Sequence, residues 1–257
     1  MKTKKRTIGI GAGVLAVSSL LGLIVTGYEI GWGPFGKLFK GFEEEVRAIE
    51  KRNDKNVRKK EILFYGASNF RLWKEMENDL KPYRVLNHGF GGCTDKDLLK
   101  YADRILYPYE PKIVFFQTGS NDYVKLPGTD EEKANACMAF KKSMFEKFHE
   151  TLPDAKFVVM SGLLLPGRSE YTQLTMQINK RLKKLCEENN EYMYFADAQK
   201  MTFDGRSYRE DLFVSDRIHL NHEGQLKWCE EYIRPMIEKL IKQEGYADLI
   251  EERSETA

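Results

Sequence analysis

Short apolar runs alternate with longer segments of helical period along most of the chain. The runs Glu61–Tyr65 (EILFY), Tyr83–Leu86 (YRVL), Lys112–Gln117 (KIVFFQ), Lys156–Met160 (KFVVM) and Tyr192–Phe195 (YMYF) are four to six residues long and dominated by aliphatic and aromatic side chains. That length and composition predict buried strands. Between and after them, apolar positions recur at helical spacing over roughly 70–80, 95–107, 131–151, 170–189 and 222–243. Five strands alternating with helices imply an α/β protein with a parallel sheet covered on both faces. In open sheets of this kind ligands bind beyond the carboxyl ends of the strands, so chemistry is sought immediately after each one.

Ahead of this pattern lies a different one. Residues 2–6 (KTKKR) carry four positive charges, and 7–28 (TIGIGAGVLAVSSLLGLIVTGY) carry none. As a helix the second stretch would run about 33 Å, enough to cross a bilayer core, and the basic flank predicts a cytoplasmic N-terminus. The length of the apolar run favours an uncleaved anchor. Val25-Thr26-Gly27 offers a cleavage site for the alternative, a secreted domain. Residues 37–60 place Phe39, Phe42, Val46 and Ile49 at helical spacing among charges of both signs. The organisation expected is therefore a basic flank 1–6, an anchor 7–28, a linker or stalk 29–60, one domain 61–243 and a polar, fraying tail 244–257.

Charge then takes on a sharper meaning. The 257 residues hold 41 Lys+Arg against 39 Asp+Glu, a net charge of +2, which argues against a dedicated nucleic-acid binder. Without the four basic residues of the flank the remainder carries −2, so the expected exported domain is mildly acidic. Cys93, Cys137, Cys186 and Cys229 are scattered without metal-ligand or C-x-x-C spacing, and no disulfide is predicted.

Four strand ends carry candidate chemistry. Gly66-Ala67-Ser68-Asn69 follows the first strand, where a serine on a tight strand-to-helix turn can expose its hydroxyl beside backbone N–H groups. Asn87-His88-Gly89-Phe90-Gly91-Gly92-Cys93-Thr94 follows the second, and its glycines do not fit dinucleotide spacing. Gly119-Ser120-Asn121-Asp122 follows the third, and Asp216-Arg217-Ile218-His219-Leu220-Asn221 precedes the last helix. Singly, each has an ordinary explanation as a turn or a helix cap. His219 and His222 lack a third ligand and do not make a metal site.

In order along the chain, these blocks resemble those of the SGNH (GDSL-type) hydrolase superfamily. Its Ser, Gly, Asn and His fall on Ser68, Gly92, Asn121 and His219, over about residues 61–243. The resemblance implies a three-layer α/β/α, flavodoxin-like sandwich and a serine esterase or lipase-like enzyme needing no cofactor. In that scheme Ser68 is the nucleophile, His219 its base and Asp216 the residue that orients the histidine. The N–H groups of Ser68 and Gly92 and the Asn121 amide form the oxyanion hole. The family's Gly-Asp-Ser is Gly66-Ala67-Ser68 here, which puts a supporting hydrogen bond at the turn in doubt.

Arg71 and Trp73 are weaker candidates for lining the pocket. Cys93 and Asp122 read as packing and bracing residues, and His88 and His149 have no evident partner. The expected substrate is a small-molecule or glycan ester with a short acyl group, such as O-acetyl. Lysophospholipase, lipase or O-acetyltransferase activity is the alternative, and a non-catalytic glycan- or partner-binding scaffold is the rival of another class.

Overall fold

The computed structural model describes residues 41–53 and 57–251. The expected anchor 7–28 and basic flank lie outside them; no helix among the described residues is long and apolar enough to cross a membrane. In chain order the elements are α1 (Glu43–Asn53), β1 (Ile62–Gly66), α2 (Ser68–Leu72), α3 (Met76–Asp79), β2 (Val85–Gly89), α4 (Asp95–Ile105), β3 (Ile113–Gln117) and α5 (Ser120–Tyr123). They continue with α6 (Asp130–Thr151), β4 (Lys156–Met160), α7 (Thr172–Glu188), β5 (Met193–Ala196), α8 (Gln199–Thr202), α9 (His222–Trp228) and α10 (Arg234–Glu244).

The five strands form one parallel sheet in the order β2-β1-β3-β4-β5. Both faces are covered, which is why the strands read as nearly continuous apolar runs. Ile62, Phe64, Ile113 and Phe115 point to one side, into a core with Phe70, Trp73, Trp228, Ile233 and Ile237. Phe70 stacks on Trp228 with ring centroids 5.4 Å apart. On the other side Tyr65 and Phe116 meet Phe148 of α6, and the Tyr65 hydroxyl donates to the Leu98 carbonyl of α4 at 2.6 Å. The result is a three-layer α/β/α sandwich. The strand order changes direction between β1 and β3, with β2 added on one side and β3, β4 and β5 on the other, and the carboxyl ends of β1 and β3 flank the crevice where such sheets bind ligands.

Several elements depart from the sequence expectation for local reasons. The helix expected over 70–80 is two short ones, α2 and α3. The helix expected over 222–243 is interrupted by a π turn at Cys229–Ile233, just ahead of Pro235, which has no N–H to continue the ladder. β2 extends to Gly89, so Asn87 and His88 belong to the strand. The tail is docked as far as Glu251: Leu249 is buried, the Arg84 N–H donates to the Leu249 carbonyl at 2.8 Å, and Tyr83 pairs with Ile250. This segment extends pairing beside edge strand β2, and its apolar Leu249 is the reason it does not fray. The stretch read as linker ends in α1, whose Val46 and Ile49 are buried and whose Glu50 pairs with Arg104 of α4 at 2.7 Å. All four cysteines are free and buried.

His88 is built into the core as a neutral ring. Asn53 Nδ2 donates to the Ile49 carbonyl and faces His88 Nε2 at 3.2 Å, so Nε2 accepts and Nδ1–H donates to the Ile105 carbonyl at 2.7 Å. Burial pushes its pKa down from 6.5 to about 4. A proton is therefore taken up more readily by the unfolded chain. Stability is lost as pH falls from about 6.5 and the loss levels off below about 4, amounting to about 3 kcal/mol in all. Unfolding in urea across that range is expected to show this loss in the wild type and a smaller one in His88→Gln. Parallel pH profiles would contradict it.

Candidate active site

Ser68 opens α2, two residues beyond the end of β1. Ala67, extended at φ −90° and ψ −155°, caps the helix without a side-chain acceptor. Its N–H donates to the Gln117 carbonyl at the end of β3, at 3.0 Å, and its carbonyl accepts the N–H groups of Phe70 and Arg71. The backbone of Ala67 thus bonds the serine turn to β3 where the family's Asp is missing.

The turn carrying His219 is closed by its own backbone. Phe213 bridges Leu220, Val214 N–H donates to the His219 carbonyl at 2.9 Å, and Arg217 adopts φ 59°. Asp216 Oδ1 accepts the N–H groups of Ile218 (2.8 Å) and His219 (3.0 Å), and Oδ2 lies 2.6 Å from His219 Nδ1. Partial burial works to raise the Asp216 pKa, but the His219 and Ile218 donors outweigh it and hold the carboxyl below its usual range. An ionised carboxylate only accepts, so Nδ1 carries the proton and Nε2 presents a lone pair. That lone pair faces Ser68 Oγ at 2.8 Å. Asn69, beside the serine, accepts the Leu220 N–H at 3.1 Å and ties the two turns together across 151 residues.

Gly92 and Asn121 line the same cleft of about 200 Å³, with Ser68, His219, Arg71, Leu163, Leu165, Arg168 and Ile218 among its walls. Gly92 sits at φ +78°, a conformation that side-chain-bearing residues rarely adopt. The Asn121 amide is oriented from both ends: Nδ2 donates to the Cys93 carbonyl at 3.2 Å and Oδ1 accepts from Arg168 Nη1 at 3.2 Å. One of its two N–H donors is thereby left over.

Behind the Gly92 and Asn121 loops lies a buried ionic cluster. Lys141 of α6 pairs with Asp95 at 2.8 Å and donates to Thr118 Oγ1 at 2.6 Å, and Thr118 donates to Asp95 Oδ1 at 2.6 Å. The Asp95 N–H in turn donates to Asp122 Oδ1 at 2.8 Å. Asp95 follows the glycine loop directly, and Thr118 and Asp122 bracket Asn121, so the cluster joins the two loops. Burial, with the neighbouring Asp95 charge, pushes the Asp122 pKa up to about 7. Burial and the nearby acids raise the Cys93 thiol well above its ordinary value, which suits a packing residue.

The structure therefore brings Ser68, His219, Asp216, Gly92 and Asn121 to one place, with Asp122 bracing the third block. Trp73, considered for the pocket, is instead in the core, donating to Asp79 Oδ2 at 2.6 Å and stacking on Trp228. Asp79 also holds His222, 3.1 Å away, and His149 stacks on Tyr192. Three residues escape sequence reasoning. Arg168 follows β4, a strand end that carried no recognisable motif. Asn69 was hidden by its ordinary turn chemistry. Lys141 had a signal: it interrupts the buried stripe Ala134, Cys137, Met144, Phe145, Phe148 of α6.

The GDSL-like Lipase/Acylhydrolase family matches residues 64–227, well over half of the chain. The chain belongs to that family and is a hydrolase of ester bonds. No curated protein matches it. Among solved structures it is similar to a Streptococcus pneumoniae protein described as a platelet-activating factor, with TM-score 0.61 and 18% identity over 91% of this chain and 99% of the other. A GDSL-like lipase from Bacteroides thetaiotaomicron gives TM-score 0.58 and 19% identity over 78% and 97%. An acetyl-xylooligosaccharide esterase from Geobacillus gives 0.50 and 18% over 77% and 99%. At such identities the likeness is one of fold.

Proposed function

We propose that the protein cleaves short-chain carboxylic esters, such as O-acetyl groups on glycans, through an acyl-enzyme on Ser68. The observation that carries this reading is the row Asp216–His219–Ser68, with contacts of 2.6 and 2.8 Å. In the reaction His219 Nε2 takes the hydroxyl proton as Ser68 Oγ bonds to the carbonyl carbon, and Asp216 stabilises the imidazolium that results. The N–H groups of Ser68 and Gly92 and the spare N–H of Asn121 receive the oxyanion. Collapse expels the alcohol, which takes the proton from His219. Water, activated by the same histidine, then releases the acid and frees Ser68.

The preference for short acyl groups is supported by the cleft of about 200 Å³, below the size of sites that enclose drug-sized ligands, about 300–1,000 Å³. The Geobacillus neighbour is an acetyl-xylooligosaccharide esterase, and an acetylated glycan is the substrate this reading carries over. Residues 7–28 would hold the enzyme at the membrane with the domain outside the cytoplasm; fractionation of cells tests this, and a shorter, released product would contradict it.

A panel of p-nitrophenyl esters tests acyl length: kcat/KM should be highest for acetate and propionate and fall steeply by octanoate. A rise towards octanoate would favour the lipase reading. Asn121→Ala should lower kcat by about 10²–10³-fold with folding intact, as loss of one oxyanion donor does. Unchanged turnover would remove Asn121 from the scheme.

A further inference from the structure

The cleft is walled by two arginines in different electrical situations. Arg71 has a counter-charge: its Nε lies 3.6 Å from Glu45 Oε2, which also accepts the Gly91 N–H at 2.6 Å. Arg168 has none among the described residues. Its Nη1 donates to Ser120 Oγ and to Asn121 Oδ1. A guanidinium offers five N–H donors, so Nε and Nη2 keep theirs for another acceptor. A half-buried cation without a carboxylate gives up hydration for no ionic return.

The turn that carries Arg168 is built against the histidine turn. Gly167 N–H donates to the Arg217 carbonyl at 2.8 Å, and Arg168 N–H donates to the Leu165 carbonyl at 3.0 Å. A Cβ on Gly167 would come within 2.8 Å of the Asp216 carbonyl oxygen and 2.9 Å of Ile218 Cγ1, so only glycine permits this docking. The guanidinium thus stands at a fixed place relative to His219, on a cleft wall shared with Ser68.

We propose that Arg168 reads a negative charge on the substrate: the preferred ester carries a carboxylate or phosphate near the scissile bond, held by the arginine's open N–H donors. This rests on the Ser68 hydrolase reading and adds a substrate class to it. A planar guanidinium matches either oxyanion in a two-point contact. Binding of the anion in the cleft places the ester carbonyl beside Ser68 Oγ, and the chemistry at the carbonyl is unchanged.

The test compares matched acetyl esters: O-acetyl-lactate against O-acetyl-lactamide for carboxylate, and acetyl-glycerol 3-phosphate against acetylglycerol for phosphate. The full chain is expected to favour at least one anion over its neutral counterpart by about 10- to 100-fold in kcat/KM, chiefly through KM. That ratio should shrink as salt is raised. Arg168→Gln should bring it close to one, and Arg168→Lys should keep part of it. Because Arg168 also orients Asn121, both variants will lose turnover on every ester, and only the ratio reports on anion reading. A wild-type ratio near one for both pairs overturns the proposal, as does an unchanged ratio in Arg168→Gln. The salt dependence of the wild type decides the matter if a variant fails to fold. Hydrolysis of the neutral esters, abolished in Ser68→Ala, reports separately on the hydrolase reading.

Discussion

Ser68→Ala is expected to lower kcat for p-nitrophenyl acetate by about 10⁴–10⁶-fold, and His219→Ala by a similar factor. The double variant should be little worse than either single one, because the hydroxyl and its base act as a unit. The geometry explains the size of the effect. Ser68 Oγ has its proton acceptor 2.8 Å away, and that acceptor's tautomer is fixed by Asp216 on the other side of the ring. Neither substitution disturbs the turn, whose position depends on the backbone bonds of Ala67 and on Asn69 reaching Leu220. Steady-state kinetics with a thermal melt alongside checks this. Wild-type turnover by either variant, with contaminating esterase excluded, would contradict it.

The second large effect is on stability. Lys141→Met should destabilise the fold by about 3–5 kcal/mol, since it leaves the Asp95 carboxylate buried without its counter-ion. Lys141 and Asp95 side chains are 5% and 2% exposed, so water cannot replace the lost partner. Adding Asp95→Asn to Lys141→Met should recover part of the loss by removing the stranded charge. The same single variant should depress kcat as well, because Thr118 and the Asp122 contact through Asp95 frame Asn121. Urea unfolding of the single and double variants measures the coupling. A change under about 1 kcal/mol in Lys141→Met would show that the cluster is not ionic in the folded protein.

Much of this was legible beforehand for a physical reason. Strands buried on both faces announce themselves as unbroken apolar runs, and EILFY, KIVFFQ and KFVVM are such runs. Parallel order then directs attention to strand ends, where Ser68, Gly92 and Asn121 lie, while His219 stands well past β5 on the turn before α9 and was legible from its own D-x-x-H block. What stayed hidden depends on tertiary partners. Nothing local to Leu249 says that it will close over the edge beside β2. Trp73 follows the serine closely enough to suggest the pocket, but the break between α2 and α3 turns it onto Trp228. Arg168 stands in no motif, and its meaning comes from Asn121, 47 residues earlier in the chain. Lys141 was readable as an anomaly on an apolar stripe, while its partner Asp95 was not.

The central claim is that Ser68 is the nucleophile of this acylhydrolase, and active-site labelling tests it most directly. A fluorophosphonate probe should form a single covalent adduct with the folded wild-type protein, mapped by peptide mass spectrometry to Ser68. Ser68→Ala should take no label, and Asp216→Asn should take it far more slowly. Folded wild-type protein that remains unlabelled, or an adduct mapped to any other residue, would contradict the account.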